Sequence, residues 1–187
     1  MVGATAVAGY LLLWLALRAI ALRFATTATV VRRSPWLTRI ALGYSFLCAL
    51  ALAVMRLWPG FDRPELGLER LSAGIAMVAL SLVAEAVCLR SLGDLYSLEM
   101  AVKSNHVVIR TGMYRLVRHP IYVSNIVGYV GVCLLLGHWA AWVGLVAQAV
   151  GFVSMAQREE EFLVKHLGNT YEQYRRQVRW MFVPGVL

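Results

Sequence analysis

Two polar segments of this chain combine residue types that can hold a small charged ligand. The first covers residues 105–124 and contains the triplet Arg118-His119-Pro120 between Tyr114 and Tyr122. Proline is favoured at the first position of a helix, so the apolar run that follows predicts a helix N-terminus here. Backbone N–H groups and the helix dipole favour an anion at such an end. The segment therefore indicates a site for an anionic or zwitterionic ligand, or alternatively a basic cluster that only holds lipid headgroups.

The second segment covers residues 157–184 and begins with the three consecutive acids Glu159, Glu160 and Glu161. Acids at the C-terminal end of a helix gain nothing from the helix dipole, so one of them could instead hold hydroxyl or amino groups of a ligand. The alternative is that Glu160 or Glu161 faces water. Apolar residues of the tail keep near-helical spacing, which predicts a helix lying against the membrane surface. They are Phe162, Leu163, Leu167, Tyr171, Tyr174 and Val178.

The composition shows which kind of element must position these segments. The chain has 187 residues, of which 60% are hydrophobic and 15% charged, with a formal net charge of +8. Soluble domains average about 45–50% apolar and about 25% charged residues, so this excess belongs in lipid rather than in a small core. The charges lie between apolar runs, which argues against a nucleic-acid partner and for a membrane protein. Cys48, Cys88 and Cys133 all lie inside apolar runs, which predicts packing residues and no metal site.

Five apolar runs are long enough to be considered as membrane spans, because a bilayer core of about 30 Å takes about 20 residues of helix. They cover residues 2–24, 36–58, 71–89, 121–136 and 139–156. The last two predict a helical hairpin that turns at Gly137-His138. The predicted fold class is therefore all-α, a polytopic membrane protein with five transmembrane helices. It forms a single domain over 1–187, with three spans in 1–92, and in 93–187 the connecting segment, the hairpin and the tail.

The charge distribution predicts the orientation of these spans. Arg32 and Arg33, in the first loop, have no acid near them, whereas the basic residues of the second loop are balanced by acids. In membrane proteins the cytoplasmic loops carry an excess of basic residues. This rule places the N-terminus outside and the C-terminal tail in the cytoplasm, in a bacterial-type plasma membrane. The connecting segment and the tail then lie on the same side and together form the pocket. Glu85 lies within the third run near its cytoplasmic end, which favours snorkelling over a position inside the bundle.

The ordered motifs of the two segments resemble the isoprenylcysteine carboxyl methyltransferase family and its phospholipid-methyltransferase-like relatives, over about residues 93–184. The motifs are His106-Val107-Val108-Ile109, Gly112 to Tyr114, Arg118 to Tyr122, Glu159-Glu160 with Leu163, and Leu167-Gly168 with Tyr171 and Tyr174. The resemblance implies an integral membrane enzyme that transfers a methyl group from S-adenosylmethionine directly to a lipophilic acceptor, without a metal. It assigns cofactor contacts to His106, Val107, Val108, Ile109, Tyr114, His119, Pro120, Ile121, Tyr122 and Glu159, with Glu99 as a minor candidate.

The chain departs from the family pattern at one position. Family members that methylate a prenylated cysteine have an arginine four residues before the first acid of the Glu-Glu pair, where it meets the acceptor. Here that residue is Met155, and Arg158 lies on a neighbouring helix face. The predicted acceptor-binding residues are Met155, Arg158 and Glu160. The acceptor is either prenylcysteine carboxylate-like or a lipid-like phenol, hydroxyl, thiol or amine. His106, Glu160 or water could take up a proton, and no catalytic residue is assigned.

Two other functions fit the same composition. Sterol-type reductases resemble this membrane fold in the half that binds the cofactor, and they would take a nicotinamide cofactor. A small multi-span transporter or scaffold would need polar residues near the bilayer midplane, where this sequence offers almost none besides Glu85. The convergence of polar residues at one membrane edge favours the methyltransferase.

The predicted partners are the bilayer and a lipophilic or lipidated acceptor, with no obligate protein partner, and the oligomeric state is open.

Overall fold

The computed structural model describes residues 2–24, 30–34, 67–97, 100–103 and 106–185. Helices dominate the described residues, as the sequence predicts. They are α1 (Val2–Phe24), α2 (Leu68–Leu92), α3 (Pro120–Leu136), α4 (Trp139–Leu167) and α5 (Asn169–Gln177). Short 3-10 turns cover Gly93–Leu95 and Gly112–Arg115. The predicted span at 36–58 lies outside the described residues, so the number of five spans stays a prediction.

Two of these helices are long and apolar enough to cross a bilayer. They are α2 with its 3-10 extension, Leu68–Leu95, and α4, Trp139–Leu167, while Val7–Ala21 within α1 and all of α3 are shorter apolar helices. Helix α4 does not end with its apolar residues at 156 but continues through the three acids to Leu167. Gln, Arg and Glu are good helix formers, and Lys165 and His166 complement the dipole at its end. The three acids thus lie on the same continuous helix as the apolar span.

The predicted hairpin between α3 and α4 is confirmed. Gly137 ends α3 with a φ of 71°, in the left-handed region that glycine adopts most easily. His138 follows as the N-cap of α4, and its Nδ1 accepts a hydrogen bond from the backbone N–H of Ala140 at 3.2 Å. The tight turn makes α3 and α4 antiparallel neighbours. The start of α3 therefore lies beside the far end of α4, where the acids are.

A short antiparallel ribbon adds to the predicted helical fold. Strand β1 (Val30–Ser34) pairs with β2 (Met100–Lys103), with Val30 opposite Lys103 and Ser34 opposite Met100. Valines in both strands favour extended backbone. Runs of four or five residues give too short an alternation to be recognised from sequence, so both segments were expected to be loops. The ribbon ties the loop after α1 to the connecting segment that leads to α3.

Helices α1, α2 and α3 pack closely around one apolar core. A Cβ atom added to Gly131 of α3 would lie 2.8 Å from the carbonyl oxygen of Gly74 in α2, so these two backbones approach as only glycine allows. Helix α1 contacts both of the others. The buried core side chains include Val7, Tyr10, Trp14, Tyr129, Val132, Cys133, Leu135 and Leu136.

An ion pair lies inside this bundle, where the sequence favoured a snorkelling acid. Glu85 is 0% exposed, and its Oε1 lies 2.7 Å from Nη2 of Arg18 on α1. The Arg18 guanidinium also lies 4.4 Å from the ring centroid of Trp14. The preference for snorkelling was wrong because α1 brings a cation to Glu85, so the carboxylate has a partner without reaching the membrane surface.

We expect Glu85→Ala to destabilise the fold strongly, because it leaves the buried guanidinium of Arg18 without its counter-charge. Breaking such a pair costs about 3–5 kcal/mol. Thermal melting of the detergent-purified chain measures the loss. Glu69→Ala, at an exposed position in the first turn of the same helix, is the matched control and should shift the melting temperature far less. Equal melting temperatures for the two variants would contradict the role of the pair.

Candidate functional site at the start of α3

The N-terminus of α3 and the C-terminal tail meet at the polar end of the hairpin. His119 is the N-cap of α3 and is buried, and Pro120 is the first helical residue, as the sequence predicts. The backbone N–H groups of Arg118 and His119 donate to the carbonyl oxygens of Trp180 and Met181, each at 3.0 Å. The tail thus runs alongside the residues that open α3 and covers them.

Glu159 comes to the same place from the far end of α4. Its Oε2 accepts a hydrogen bond from the Tyr122 hydroxyl at 2.9 Å and lies 3.6 Å from Nδ1 of His119. The Glu159 side chain is 32% exposed, so part of the carboxylate stays accessible. Three of the predicted ligand residues, from two segments of the sequence, are therefore brought together.

The neighbouring acid, Glu160, has a different environment. Its Oε1 accepts from Nε of Arg118 at 2.6 Å and lies 3.1 Å from Nε2 of His119. Its Oε2 lies 3.0 Å from Nε of Arg175 on α5, and the side chain is 4% exposed. Glu160 therefore does not face water, unlike the exposed Glu161. Both of its carboxylate oxygens have partners from the chain itself.

The guanidinium of Arg118 connects Glu160 to the tail. Its Nη1 donates to the carbonyl oxygens of Val178 at 2.9 Å and Arg179 at 2.6 Å. One side chain thus binds an acid of α4 and two carbonyl groups of the tail. Charge-assisted hydrogen bonds of this kind are shorter and stronger than neutral ones. Arg118 therefore joins α3, α4 and the tail.

The start of α3, the far end of α4 and the tail meet at a junction, and four aromatic rings lie there. The Tyr122 ring stacks with His119 at a centroid distance of 5.4 Å and with Phe152 of α4 at 4.8 Å. Phe182 of the tail lies 5.9 Å from His119 and 6.4 Å from Tyr122, with tilted rings. Aromatic faces attract cations and offer flat apolar surface to other rings.

The tail packs on the protein rather than presenting its apolar face to the membrane surface. Tyr171, Tyr174 and Val178 are buried in one cluster with Val108 of the connecting segment. The Tyr174 hydroxyl donates to the carbonyl oxygen of Tyr114 at 2.8 Å, and burial raises the pKa of Tyr174, so this phenol stays a neutral donor. The expectation of a surface-lying tail was wrong for these three residues, because the connecting segment offers them an apolar partner.

The other predicted residues fall into two groups. Tyr114, Pro120 and Met155 are buried. His106, Val108, Ile109 and Ile121 are partly buried, whereas Val107 and Arg158 are exposed. Glu99 lies outside the described residues. Met155 and Arg158 therefore point to different environments on α4, and of these two Met155 lies on the buried face. No group of three metal-binding side chains occurs among the residues that the structure describes.

Sequence reasoning missed four contributors to the site. Arg118 was identified only as part of a motif, with no contact assigned to it. Arg175, Phe152 and Phe182 were not identified. Phe152 lies one helical turn before Ala156 and two before Glu159, so helical spacing from the acids could have suggested it. Phe182 and Arg175 reach the site through the fold of the tail, for which a single sequence carries no signal.

These features define a helical protein of membrane character whose polar site is assembled at one end of a hairpin by α3, α4 and the tail. Residues 74–166, about half of the chain, match the profile described as the isoprenylcysteine carboxyl methyltransferase (ICMT) family. Over this segment the chain is similar to that family, and the resemblance found in the motifs is confirmed. The match includes the whole segment between α2 and α3, all of α3, and the acids of α4.

Two relatives have similar sequences over slightly less than half of the chain. A protein-S-isoprenylcysteine O-methyltransferase from Schizosaccharomyces pombe is 36% identical over 91 residues, which is 46% of this chain and 38% of the relative. A protein of the same name from Dictyostelium discoideum is 28% identical over 85 residues, which is 45% of this chain and 35% of the relative. The matched segment therefore spans less than two fifths of the length of either relative.

We expect Arg118→Ala to loosen the tail, because the variant loses the hydrogen bonds to Glu160, Val178 and Arg179. Hydrogen exchange of the peptide that covers residues 116–122 measures this, since the amides of Arg118 and His119 are protected only while the tail is seated. Exchange should become at least about tenfold faster, the equivalent of about 1.4 kcal/mol. Arg115→Ala, at an exposed position in the same segment, should leave it unchanged. Equal exchange in both variants would show that Arg118 does not hold the tail.

Proposed function

We propose that this chain is a methyltransferase that uses S-adenosylmethionine and acts on a lipophilic acceptor at the cytoplasmic face of the membrane. The observation that carries the proposal is the accessible carboxylate of Glu159 beside the N-terminus of α3, inside the segment that matches the family. The two relatives are named O-methyltransferases, which supports the same chemistry. The arginines of the first loop support the orientation.

The residues of the site suit the groups that S-adenosylmethionine carries. The N-terminal end of α3 favours the carboxylate through its dipole. Glu159 can accept hydrogen bonds from an amino group or from ribose hydroxyls, since its contacts among the described residues are the Tyr122 hydroxyl and the His119 imidazole. The rings of Tyr122 and Phe182 suit a sulfonium and a purine. When bound, the cofactor supplies an electrophilic methyl group.

The side chains of the site act by binding, orienting and excluding water. Tyr122 and His119 hold the Glu159 carboxylate, and the tail covers the start of α3. Positioning two reactants in a site shielded from water accounts for most of the rate in a direct transfer. Glu160 is a poor choice for a base, because Arg118, His119 and Arg175 stabilise its charge. An acceptor that must lose a proton would then give it to His106 or to water.

We expect the full chain in detergent to bind S-adenosylmethionine and its demethylated product, S-adenosylhomocysteine, in isothermal titration. Glu159→Gln should weaken this binding about ten- to a hundredfold, because a hydrogen bond to a charged group contributes about 1.5–3 kcal/mol. Glu161→Gln, two residues along and exposed, is the matched control and should bind like the wild type. Absence of binding to the wild type, or a thermal shift with a nicotinamide dinucleotide instead, would overturn the proposed function.

The acceptor is proposed from Met155, which is buried one helical turn before Glu159. An apolar side chain there offers no guanidinium to an acceptor carboxylate. This supports a lipid-like phenol, hydroxyl, thiol or amine, although both relatives are named for isoprenylcysteine. The lipophilic part of the acceptor would come from the surrounding bilayer.

We expect Met155→Arg to raise methyl transfer to S-farnesylcysteine, relative to transfer to a long-chain alkylphenol, by about tenfold, because the guanidinium would pair with the acceptor carboxylate. A radiolabelled methyl-transfer assay with both acceptors gives the ratio. Met155→Leu, which keeps an apolar side chain of similar size, should retain the wild-type ratio. An unchanged ratio in a Met155→Arg variant that still binds cofactor would remove position 155 from the acceptor site.

A further inference from the structure

The ion pair inside the bundle lies close to the first turn of α3. Arg18, besides its pairing with Glu85, donates through Nη1 to the Tyr96 hydroxyl at 3.1 Å. Tyr96 and Ile121 belong to one apolar cluster, which also includes Leu17 of α1 and Leu89 of α2. Ile121 is the second residue of α3, next to Tyr122 and two residues from His119. The Arg18–Glu85 pair is thus connected to the turn that presents the two site rings.

A second set of contacts links α1 to the same residue. Nε1 of Trp14, one turn before Arg18, donates to Oδ1 of Asn125 at 3.1 Å, and Nδ2 of Asn125 donates to the carbonyl oxygen of Ile121 at 2.7 Å. Asn125 therefore bridges α1 to the first turn of α3 with both ends of its amide. The Arg18 guanidinium packs over the Trp14 ring, which joins the two sets of contacts.

Burial favours a single arrangement of these groups. Arg18, Glu85, Trp14 and Asn125 are each less than a tenth exposed. Hydrogen-bonding groups in a low-dielectric interior hold one geometry, because breaking any contact leaves a polar group unpaired. Helix α1 lies outside the segment that matches the family, yet it contacts the turn on which the site is built.

We propose that Arg18 and Glu85 are positioning residues, which act through Trp14, Asn125 and Tyr96 to hold the first turn of α3 and so the rings of His119 and Tyr122. The proposal rests on the proposed function, since those rings are taken to face the cofactor. It gives α1 a part in cofactor binding that neither the matched segment nor the motifs assign to it.

The test is the dissociation constant of S-adenosylhomocysteine, measured by isothermal titration well below the lowest melting temperature of the variants. Trp14→Phe keeps a ring over Arg18 and removes the donor to Asn125, and we expect about tenfold weaker binding. Asn125→Ala should have a similar effect, and the double variant should be little worse than either single one, because both break the same bridge.

Ser124→Ala is the matched control. The Ser124 hydroxyl also donates to the carbonyl oxygen of Ile121, at 2.8 Å, but this hydrogen bond lies within α3 itself. Binding by this variant should equal that of the wild type. An effect as large as that of Asn125→Ala would show that local loosening of α3, rather than its bridge to α1, matters, and would overturn the proposal.

The ion pair itself is tested by replacing both partners, because Glu85→Ala alone can prevent folding. The double variant Arg18→Met/Glu85→Met removes the charges together and keeps apolar volume, which commonly preserves stability. We expect it to melt near the wild type while binding about tenfold more weakly. Wild-type affinity in this variant would overturn the positioning role and leave the proposed function standing. A wild type that does not bind would overturn both.

Discussion

The buried carboxylate of Glu160 is the interaction on which the site depends. It gathers Arg118 from before α3, Arg175 from α5 and His119 from the cap of α3 around one point on α4. Through Arg118 it also holds the tail, whose carbonyl oxygens accept from the same guanidinium. The start of α3, the far end of α4, and α5 with the tail thus meet at one carboxylate. Because two cations share one buried acid, the junction is held by charge as well as by shape.

Helical geometry gives the adjacent acids Glu159 and Glu160 different roles. Neighbouring residues on a helix point about 100° apart, so Glu159 and Glu160 face different surroundings, although the His119 ring lies near both. Glu160 faces the guanidinium groups and is enclosed. Glu159 faces Tyr122 and keeps a carboxylate that is partly open to solvent. One acid thus holds the structure together, and the other remains available to a ligand.

Much of the helical framework could be predicted from the sequence. The bounds of α1 and the hairpin turn at Gly137 follow from apolar run length and from a glycine followed by a polar residue, which are local signals. The cluster of His119, Tyr122 and Glu159 was also predictable, because motif order and hairpin geometry bring both ends together. What could not be predicted depends on contacts between distant segments. The sequence does not show that Arg18 of α1 pairs with Glu85 of α2. Nor does it show that Val108 offers an apolar partner to the tail residues, which helical spacing alone assigns to the membrane surface.

Lipid as a solvent explains why these distant contacts decide so much. Within the bundle, apolar packing distinguishes poorly between one arrangement of helices and another, since lipid tails solvate an apolar face as well as a neighbouring helix does. Polar pairs distinguish sharply, because each unpaired group in that environment costs free energy. A chain with few polar residues in its spans can therefore fix the position of a whole helix with one ion pair and one amide bridge. Asn125 contacts both Trp14 of α1 and the first turn of α3, so in the positioning role proposed above the contacts that orient α1 also set the geometry of the turn that carries the site.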